Sequence, residues 1–246
     1  MGSISFDLKK RIDEKNYQLI TSTQDGCLFF PGFNEIDLKT QIVSEKCNNI
    51  YFQNLKQTLS IDKNSIIIFA GRFPLYLSNY YFDNKEGSKE GGQYEKKYFS
   101  LGKYSTIENS FMNEVSEISK NHKIILVYPI PEVGYSVPSK LNIFFKTLPR
   151  NAMASIKVSE YITTSFEVYK NRTLSSFELL DSIQGNNIHR VYPHTLFCNT
   201  RIKNRCLTHD DRNIFYMDDD HPSIKGAEMI NDLIMKEIEK IELKSN

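Results

Sequence analysis

The chain has 246 residues, of which 40% are hydrophobic and 25% charged, as is ordinary for a soluble globular protein. Its formal net charge of +1 provides no basic surface for nucleic acid or an acidic membrane, so we expect no nucleic-acid partner. The longest apolar run, residues 66–70, is far shorter than the roughly 18 residues of a membrane span. No signal peptide is visible, because charges begin at Asp7.

Helical and strand patterns alternate along the chain, which predicts an α/β fold with a parallel sheet, and residues 1–246 are predicted to form one domain. Apolar residues at helical spacing predict helices around residues 4–12, 48–60, 107–118, 158–183 and 224–246. Apolar and β-branched runs predict strands at residues 17–23, 64–70, 123–128, 187–192 and 213–217. Residues 83–93 form a polar, glycine-containing segment that predicts a flexible loop.

Three segments with chemically useful residues follow three of the predicted strands. They are Gly71-Arg72, residues 129–134 (PIPEVG) and residues 218–221 (DDDH). Ligands of open α/β sheets bind at the carboxyl ends of the strands. We therefore expect these three loops to converge on one rim and form a site there.

Asp218 and His221 are the strongest catalytic candidates on residue type and spacing. A carboxylate against imidazole Nδ1 fixes the tautomer and stabilises the imidazolium formed when Nε2 takes a proton. Asp219 and Asp220 are alternatives to Asp218 as the orienting acid. A solvated acidic loop whose histidine caps or precedes a helix is the alternative interpretation of the segment. Ser223 is predicted to be the N-cap of the last helix. No further carboxylates or histidines stand at ligand spacing, so we predict no metal and no cofactor.

Gly71 and Arg72 are candidates for contacts with substrate. Gly71 allows close approach to the main chain, so its N–H suits an oxyanion, although taken alone a simple turn glycine after a strand explains it better. Arg72 is suited to bind a carboxylate or a sugar, or to pair structurally with an acid.

The four cysteines, Cys27, Cys47, Cys198 and Cys206, lack the C-x-x-C spacing of zinc or thioredoxin-like sites. They fall into two local pairs, which are either disulfides of an oxidising compartment or buried free thiols.

Several blocks together resemble the SGNH domain fused to the C-terminus of acyltransferase-3 membrane proteins. These bacterial O-acyltransferases acetylate lipopolysaccharide O-antigen, peptidoglycan or other surface glycans. The blocks occur in the family's order and cover nearly the whole chain: residues 26–27, 69–73 with Tyr76, 129–135 with Pro138, Cys198 and Cys206, 215–223 and 226–227.

This resemblance implies a three-layer α/β/α fold with a parallel sheet, the SGNH-hydrolase (flavodoxin-like) architecture. It implies disulfides Cys27–Cys47 and Cys198–Cys206 and a periplasmic or extracytoplasmic location. It also implies catalytic roles for Asp218 and His221, and acyl transfer to a polysaccharide acceptor. The acyl group, acetyl in the family, would come from a membrane domain of the same parent polypeptide.

One block of the family is missing. The nucleophilic serine belongs to a G-D-S-H block between the first strand and first helix, and no G-D-S occurs here. Gly2-Ser3 is the nearest relic, so Ser3 is a candidate nucleophile. The preferred hypothesis is instead that the chain starts late and that its first strand and serine block are missing. The wider SGNH superfamily has an asparagine after the glycine loop that completes the oxyanion hole, whereas this chain has Arg72 at the position near Gly71. Pro222 follows the histidine where leucine is common in the family.

Three functions fit these residues. The first is an O-acyltransferase domain acting on a surface polysaccharide, and the second is a carbohydrate esterase with water as acceptor. The third, from another class, is a catalytically inactive fragment that binds glycan or a membrane partner.

Overall fold

The computed structural model describes residues 2–13, 15, 17–24, 26–61, 65–147 and 161–245. Its centre is a parallel sheet in the order β2 (Ile66–Phe69), β4 (Lys123–Val127), β6 (Ile188–Val191). Two antiparallel pairs complete the strands: β1 (Phe33–Asp37) with β3 (Lys96–Ser100), and β5 (Thr163–Ser165) with β7 (Arg205–Leu207).

The helices pack on both faces of this sheet. In the described residues they are α1 (Gly2–Asp13), α2 (Asn49–Ile61), α3 (Phe73–Ser78), α4 (Ile107–Ile118), α5 (Val137–Thr147), α6 (Phe166–Ser182), α7 (His194–Phe197) and α8 (Ile224–Ser245). None of them combines the length and apolarity needed to span a bilayer.

The central strand β4 shows how the layers are built. Ile125 and Val127 point into a core shared with α1, α5 and α8. Ile124 and Leu126 point into a second core with α2, α4 and the end of α6. Because successive side chains of a strand face opposite sides, a strand buried on both faces is apolar throughout. The sheet therefore lies between two helical layers, and the predicted three-layer α/β/α fold is confirmed.

Side-chain caps fix where three helices begin. The Thr106 hydroxyl accepts the N–H of Asn109 before α4, and the Ser165 hydroxyl accepts the N–H of Val168 before α6. The Ser223 hydroxyl accepts the N–H of Gly226 at 3.1 Å at the start of α8. An N-cap of this kind satisfies a backbone donor that the helix itself leaves unpaired. Ser223 is therefore the cap of the last helix, as predicted.

Three predicted elements differ from the structure. Residues 17–23 are not a strand, and 213–217 makes only isolated bridges, Ile214 with His209 and Tyr216 with Pro222. The helix predicted at 158–183 begins at Phe166, after strand β5, and positions 158–160 lie outside the described residues. Residues 17–23 are mostly exposed, with Ile20 63% accessible, so their apolar pattern indicated neither a strand nor burial. Pairing with another segment, which a local pattern does not reveal, decides whether a strand forms.

The polar loop at 83–93 forms a short hairpin rather than an open excursion. Tyr80 bridges Gln93, and Asp83 bridges Lys89. The N–H of Glu90 donates to the carbonyl of Phe82 at 2.9 Å. This hairpin returns Glu90 toward the loop that follows β2.

Both disulfides implied by the resemblance are present. Cys27 is joined to Cys47, 20 positions apart, and Cys198 to Cys206, 8 positions apart. The longer bridge ties the segment before β1 to the loop before α2, and the shorter one closes the turn between α7 and β7.

We expect the Cys27–Cys47 bridge to contribute about 3 kcal/mol to the free energy of unfolding, because it removes loop-closure entropy from the unfolded chain. The Cys27→Ala/Cys47→Ala variant should lose that amount in a urea titration. The Cys198→Ala/Cys206→Ala variant is the matched comparison. It should lose less free energy of unfolding, since the Cys198–Cys206 bridge closes a shorter loop. Thiol alkylation of the native, non-reduced protein should label no cysteine; labelling of all four would contradict both bridges.

Candidate active site

His221 lies in the turn that leads into α8, with its side chain 53% exposed. Its Nδ1 is 2.9 Å from Oδ2 of Asp218 and 2.8 Å from Oδ1 of Asp220. The other oxygen of Asp218 accepts the backbone N–H groups of Asp220 at 3.0 Å and His221 at 2.7 Å. Asp218 therefore stabilises the turn through these two backbone hydrogen bonds and also contacts the imidazole. Because both carboxylates are on Nδ1, Nε2 is the nitrogen left for proton transfer.

The electrostatics of this turn favour a charged imidazole. The hydrogen bond with Asp220, opposed by burial and assisted by Asp218, raises the pKa of His221 to about 9. Burial raises the pKa of Asp220, but His221 and the charge of Arg72 outweigh it, so this pKa is below its ordinary value. Burial and the neighbouring Asp220 raise the pKa of Asp219. At neutral pH the ring is therefore an imidazolium facing two carboxylates.

Three loops meet at this turn, as the sequence predicted. The backbone carbonyl of Asp219 accepts the N–H groups of Val133 at 2.8 Å and Gly134 at 3.4 Å from the loop after β4. The carbonyl of Asp218 accepts the N–H of Val137, the first residue of α5, at 3.2 Å. From the loop after β2, Nη1 of Arg72 lies 3.1 Å from Oδ2 of Asp220.

Arg72 lies among three carboxylates. Its Nε donates to Glu132 at 2.6 Å and its Nη1 to Glu90 at 2.9 Å, while Nη2 contacts both Glu90 and Glu132. Although burial lowers it, these acids and Asp220 hold the pKa of Arg72 above its ordinary value. All three nitrogens of the guanidinium thus have partners within the protein. This geometry favours structural pairing with acids over the predicted contact with an oxyanion or substrate.

Gly71 is required by packing. A Cβ at this position would lie 2.1 Å from Cδ2 of Leu28, well inside van der Waals contact. The absence of a side chain lets Leu28 pack directly against the end of β2. This accounts for the glycine without an oxyanion, and its role as an N–H donor stays a prediction.

The start of α1 lies at the same end of the fold as His221. Asn231 of α8 donates to the carbonyl of Ile4 at 2.8 Å, and Lys15 pairs with Glu239, about two turns further along α8, at 3.2 Å. The two helices therefore run parallel, and α8 begins three residues after His221. Ser3 belongs to the first turn of α1, but its side chain lies outside the described residues.

A family model described as "SGNH domain (fused to AT3 domains)" matches residues 3–236. The chain belongs to this family. The periplasmic domain of a lipopolysaccharide acetyltransferase from Salmonella ser. Paratyphi A is structurally similar to this SGNH domain. The two share 16% sequence identity with a TM-score of 0.53, over 96% of this chain and 80% of the other, which shows a common fold. No curated protein matches the chain.

Three residues around this candidate site were not singled out as functional from the sequence, and the role of a fourth was left open. Asp220 was an alternative to Asp218, and the structure places both on the ring. Glu90, Glu132 and Arg172 come from three separate segments, and Arg172 lies in the second turn of α6 with Nε 2.8 Å from Glu132. Only Glu132 lay in a loop expected at the rim. Nothing in the local sequence around Glu90 or Arg172 indicates the partnership.

Asp218, Asp220 and His221 have possible ligand atoms within 4.8 Å of one another. The imidazole–carboxylate hydrogen bonds explain this spacing without an ion. That the site needs no metal or cofactor stays a prediction.

The raised pKa of His221 makes stability depend on pH. Its pKa is about 9 in the folded protein and about 6.5 when unperturbed. The stabilisation is therefore fully present below pH ~6.5 and is lost as pH rises through 9. Urea titrations between pH 6 and 10 should show the free energy of unfolding falling across this window, and His221→Gln should flatten the curve. Identical slopes in both proteins would contradict the ion pair.

Proposed function

We propose that this SGNH domain transfers an acyl group, acetyl in the related enzymes, onto a hydroxyl of a cell-surface polysaccharide. The observation that supports this most is His221, steered at Nδ1 by Asp218 and Asp220, on the rim where the loops after β2 and β4 meet. The family model, whose domains are fused to AT3 domains, and the similar lipopolysaccharide acetyltransferase domain support the substrate class.

The proposed chemistry uses His221 twice. Nε2 first takes the proton of a serine hydroxyl as the serine oxygen attacks the carbonyl carbon of the acyl donor. Collapse of the tetrahedral intermediate expels the donor's leaving group, which receives that proton, and gives an acyl-serine. Nε2 then takes the proton of a sugar hydroxyl as the sugar oxygen attacks the acyl carbon. Collapse of this second intermediate breaks the ester bond to the serine, whose oxygen receives the proton from Nε2. N–H groups near Gly71 would stabilise each oxyanion.

We further propose that the nucleophilic serine follows a strand that adds to the outer edge of β2, where no strand pairs among the described residues. The side chains of β2 are all half-buried, whereas Ile124, Ile125, Leu126 and Val127 of β4 are almost fully buried. In a sheet covered by helices, a strand buried on both faces is the norm, so β2 has room beside it. A parallel strand added at this edge would end next to Gly71, close to the loop of Arg72 and Asp220.

Residues 17–24 support an open place at this edge. Tyr17 hydrogen bonds to Glu242 near the end of α8, and Leu28 lies against Gly71 at the end of β2. Among the described residues, no backbone hydrogen bond joins 17–24 to β2. One extended strand between the two would supply partners to β2 and raise the burial of both.

This arrangement also addresses the charge of His221. A general base works best with a pKa near the working pH, and an imidazole with a pKa of about 9 is mostly protonated at pH 7. A strand beside the rim would exclude water from a ring that is now 53% exposed. Burial disfavours the charged form of histidine and so lowers its pKa toward the working range.

The test is to express the domain with the in-frame residues encoded upstream of its first codon and to supply 4-nitrophenyl acetate as the acyl donor. Mass spectrometry should find an acetyl group on one serine of the added segment, and the acetyl group should move to added O-polysaccharide. Release of acetate with no sugar acetylated would favour the esterase. If the domain with the added upstream residues folds but is never acylated, the proposal is overturned and the inactive glycan-binding fragment is favoured.

A further inference from the structure

A network of charges, with the buried Glu132 at its centre, lies next to the imidazole. We call it the arginine–carboxylate network; its members are Arg72, Arg172, Glu90, Glu132 and Asp220. They come from the loop after β2, the 83–93 hairpin, the loop after β4, helix α6 and the turn before α8. Charges drawn from five segments and largely removed from water interact much more strongly than surface pairs.

Glu132 is the fixed point of this network. Its side chain is only 5% exposed, and each of its oxygens faces a different arginine: Oε1 faces Arg72 and Oε2 faces Arg172. Arg172 is itself tied down, since Nη1 donates to Ser78 Oγ at 2.7 Å and Nη2 to the carbonyl of Tyr80 at 2.9 Å. The orientation of Arg72 is therefore set from behind, by groups that do not touch the histidine.

Asp220 connects this network to the ring. Its Oδ1 is 2.8 Å from Nδ1 of His221, and its Oδ2 is 3.1 Å from Nη1 of Arg72. One carboxylate therefore bridges a permanent cation and a titratable imidazole. Arg72 partly neutralises the negative charge of Asp220 and fixes the orientation of its carboxylate. Asp218 contacts the same Nδ1 independently of Arg72.

We propose that Arg72 is a positioning residue that acts on His221 through Asp220, and that Glu132 and Arg172 keep Arg72 in the orientation this requires. The inference deepens the proposed function, because His221 would be its base. The physical arrangement belongs to the chain as it stands and is testable without any acyl transfer.

Removing the charge of Arg72 and removing the charge of Glu132 should shift the pKa of His221 in opposite directions. Loss of the Arg72 cation leaves Asp220, Glu90 and Glu132 uncompensated near the imidazolium, which raises the pKa of His221. Loss of the Glu132 charge frees Arg72 to neutralise Asp220 more completely, which lowers the pKa of His221. The other charged groups around the turn and the adjoining helices are unchanged in both variants: Asp7 and Arg11 of α1, Asp218 and Asp219 of the turn, and Lys225 and Glu228 of α8.

The experiment is an NMR titration of the imidazole of His221 in the 246-residue protein, with the signal assigned by its loss in His221→Asn. Relative to the wild type, Arg72→Gln should move the titration midpoint to higher pH and Glu132→Gln to lower pH. Arg72→Lys retains the cation and should restore a midpoint close to that of the wild type. Arg201→Gln is the matched control: it removes an exposed arginine paired with Asp211, and should leave the midpoint unchanged.

A double substitution tests whether the effect passes through Asp220. In the Asp220→Asn background, Arg72→Gln should shift the midpoint much less than in the wild type. An equal shift in both backgrounds would overturn the proposal, as would a folded Arg72→Gln or Glu132→Gln protein that titrates like the wild type. If Arg72→Gln does not fold, the sign of the Glu132→Gln shift decides. A failure of acylation in the extended domain would leave these titrations unaffected, so the two proposals fail separately.

Discussion

Replacing His221 with alanine is expected to reduce acyl transfer by roughly 10⁴- to 10⁶-fold in the polypeptide that carries the nucleophilic serine. In the proposed mechanism the imidazole takes a proton from a hydroxyl at Nε2 while Asp218 stabilises the resulting charge. Its side chain is 53% exposed, so the truncation leaves no buried cavity and the fold should persist. The measurement is kcat for acetyl transfer, with circular dichroism to confirm folding.

Substitutions of residues next to His221 distinguish a loss of catalysis from a general disturbance of the turn. Asp218→Asn should lose roughly 10⁴-fold in kcat, since an amide favours the wrong imidazole tautomer. Asp220→Asn should lose less, because one oxygen of Asp220 is engaged by Arg72. Met217→Ala changes an exposed neighbour and should retain activity. Full activity in His221→Ala would refute the assignment of the base, and with it the acyl-transfer mechanism proposed above.

The elements that the sequence predicted well are those whose pattern is complete within one segment. Helix α4 covers residues 107–118 as predicted, because Ile107, Phe111 and Val115 repeat at helical spacing and Thr106 caps the first turn. Strand β4 has a continuous apolar run buried on both faces. In both cases the local chemistry and the packing in the fold agree.

The errors arose where a distant partner decides the structure. Residues 17–23 have strand-like composition, but no neighbouring strand pairs with them in the described residues. Strands β1 and β3 were not foreseen. Their sequences, FNEID and KKYFS, are rich in charge, and they form because the two segments pair with each other. Strand formation is a property of the pair, which one segment cannot reveal.

The same distinction applies to the site. Asp218 and His221 lie three residues apart in one turn, so their contact could be predicted from spacing alone. Arg72, Glu132 and Arg172 are separated by 60 and 40 positions and meet only because α6 and the loops after β2 and β4 reach the same edge. The sequence left both substrate binding and structural pairing with an acid open for Arg72, but it could not identify Glu90, Glu132 and Asp220 as the acids.

Glu132→Ala is expected to lower the free energy of unfolding by about 3–5 kcal/mol, the largest stability effect predicted here. The substitution removes the acceptor of Arg72 Nε and Arg172 Nε and leaves two arginine side chains, 21% and 11% exposed, with unpaired donors. Removing one partner of a buried ion pair costs this much because Arg172 loses the carboxylate that its charge faces. Arg72 keeps Glu90 and Asp220, but its Nε loses its acceptor. For a chain of this size the melting temperature should fall by roughly 6–20 °C.

The control for this prediction is Glu117→Ala on α4. Glu117 also pairs with a cation, Lys120, but its side chain is 64% exposed, so its loss should change the free energy of unfolding by less than about 0.5 kcal/mol. Urea titrations of both variants provide the comparison. Equal, small losses would mean that the arginine–carboxylate network does not hold the three loops together. A large loss confined to Glu132→Ala would show that the rim presenting His221 depends on a carboxylate that never touches it.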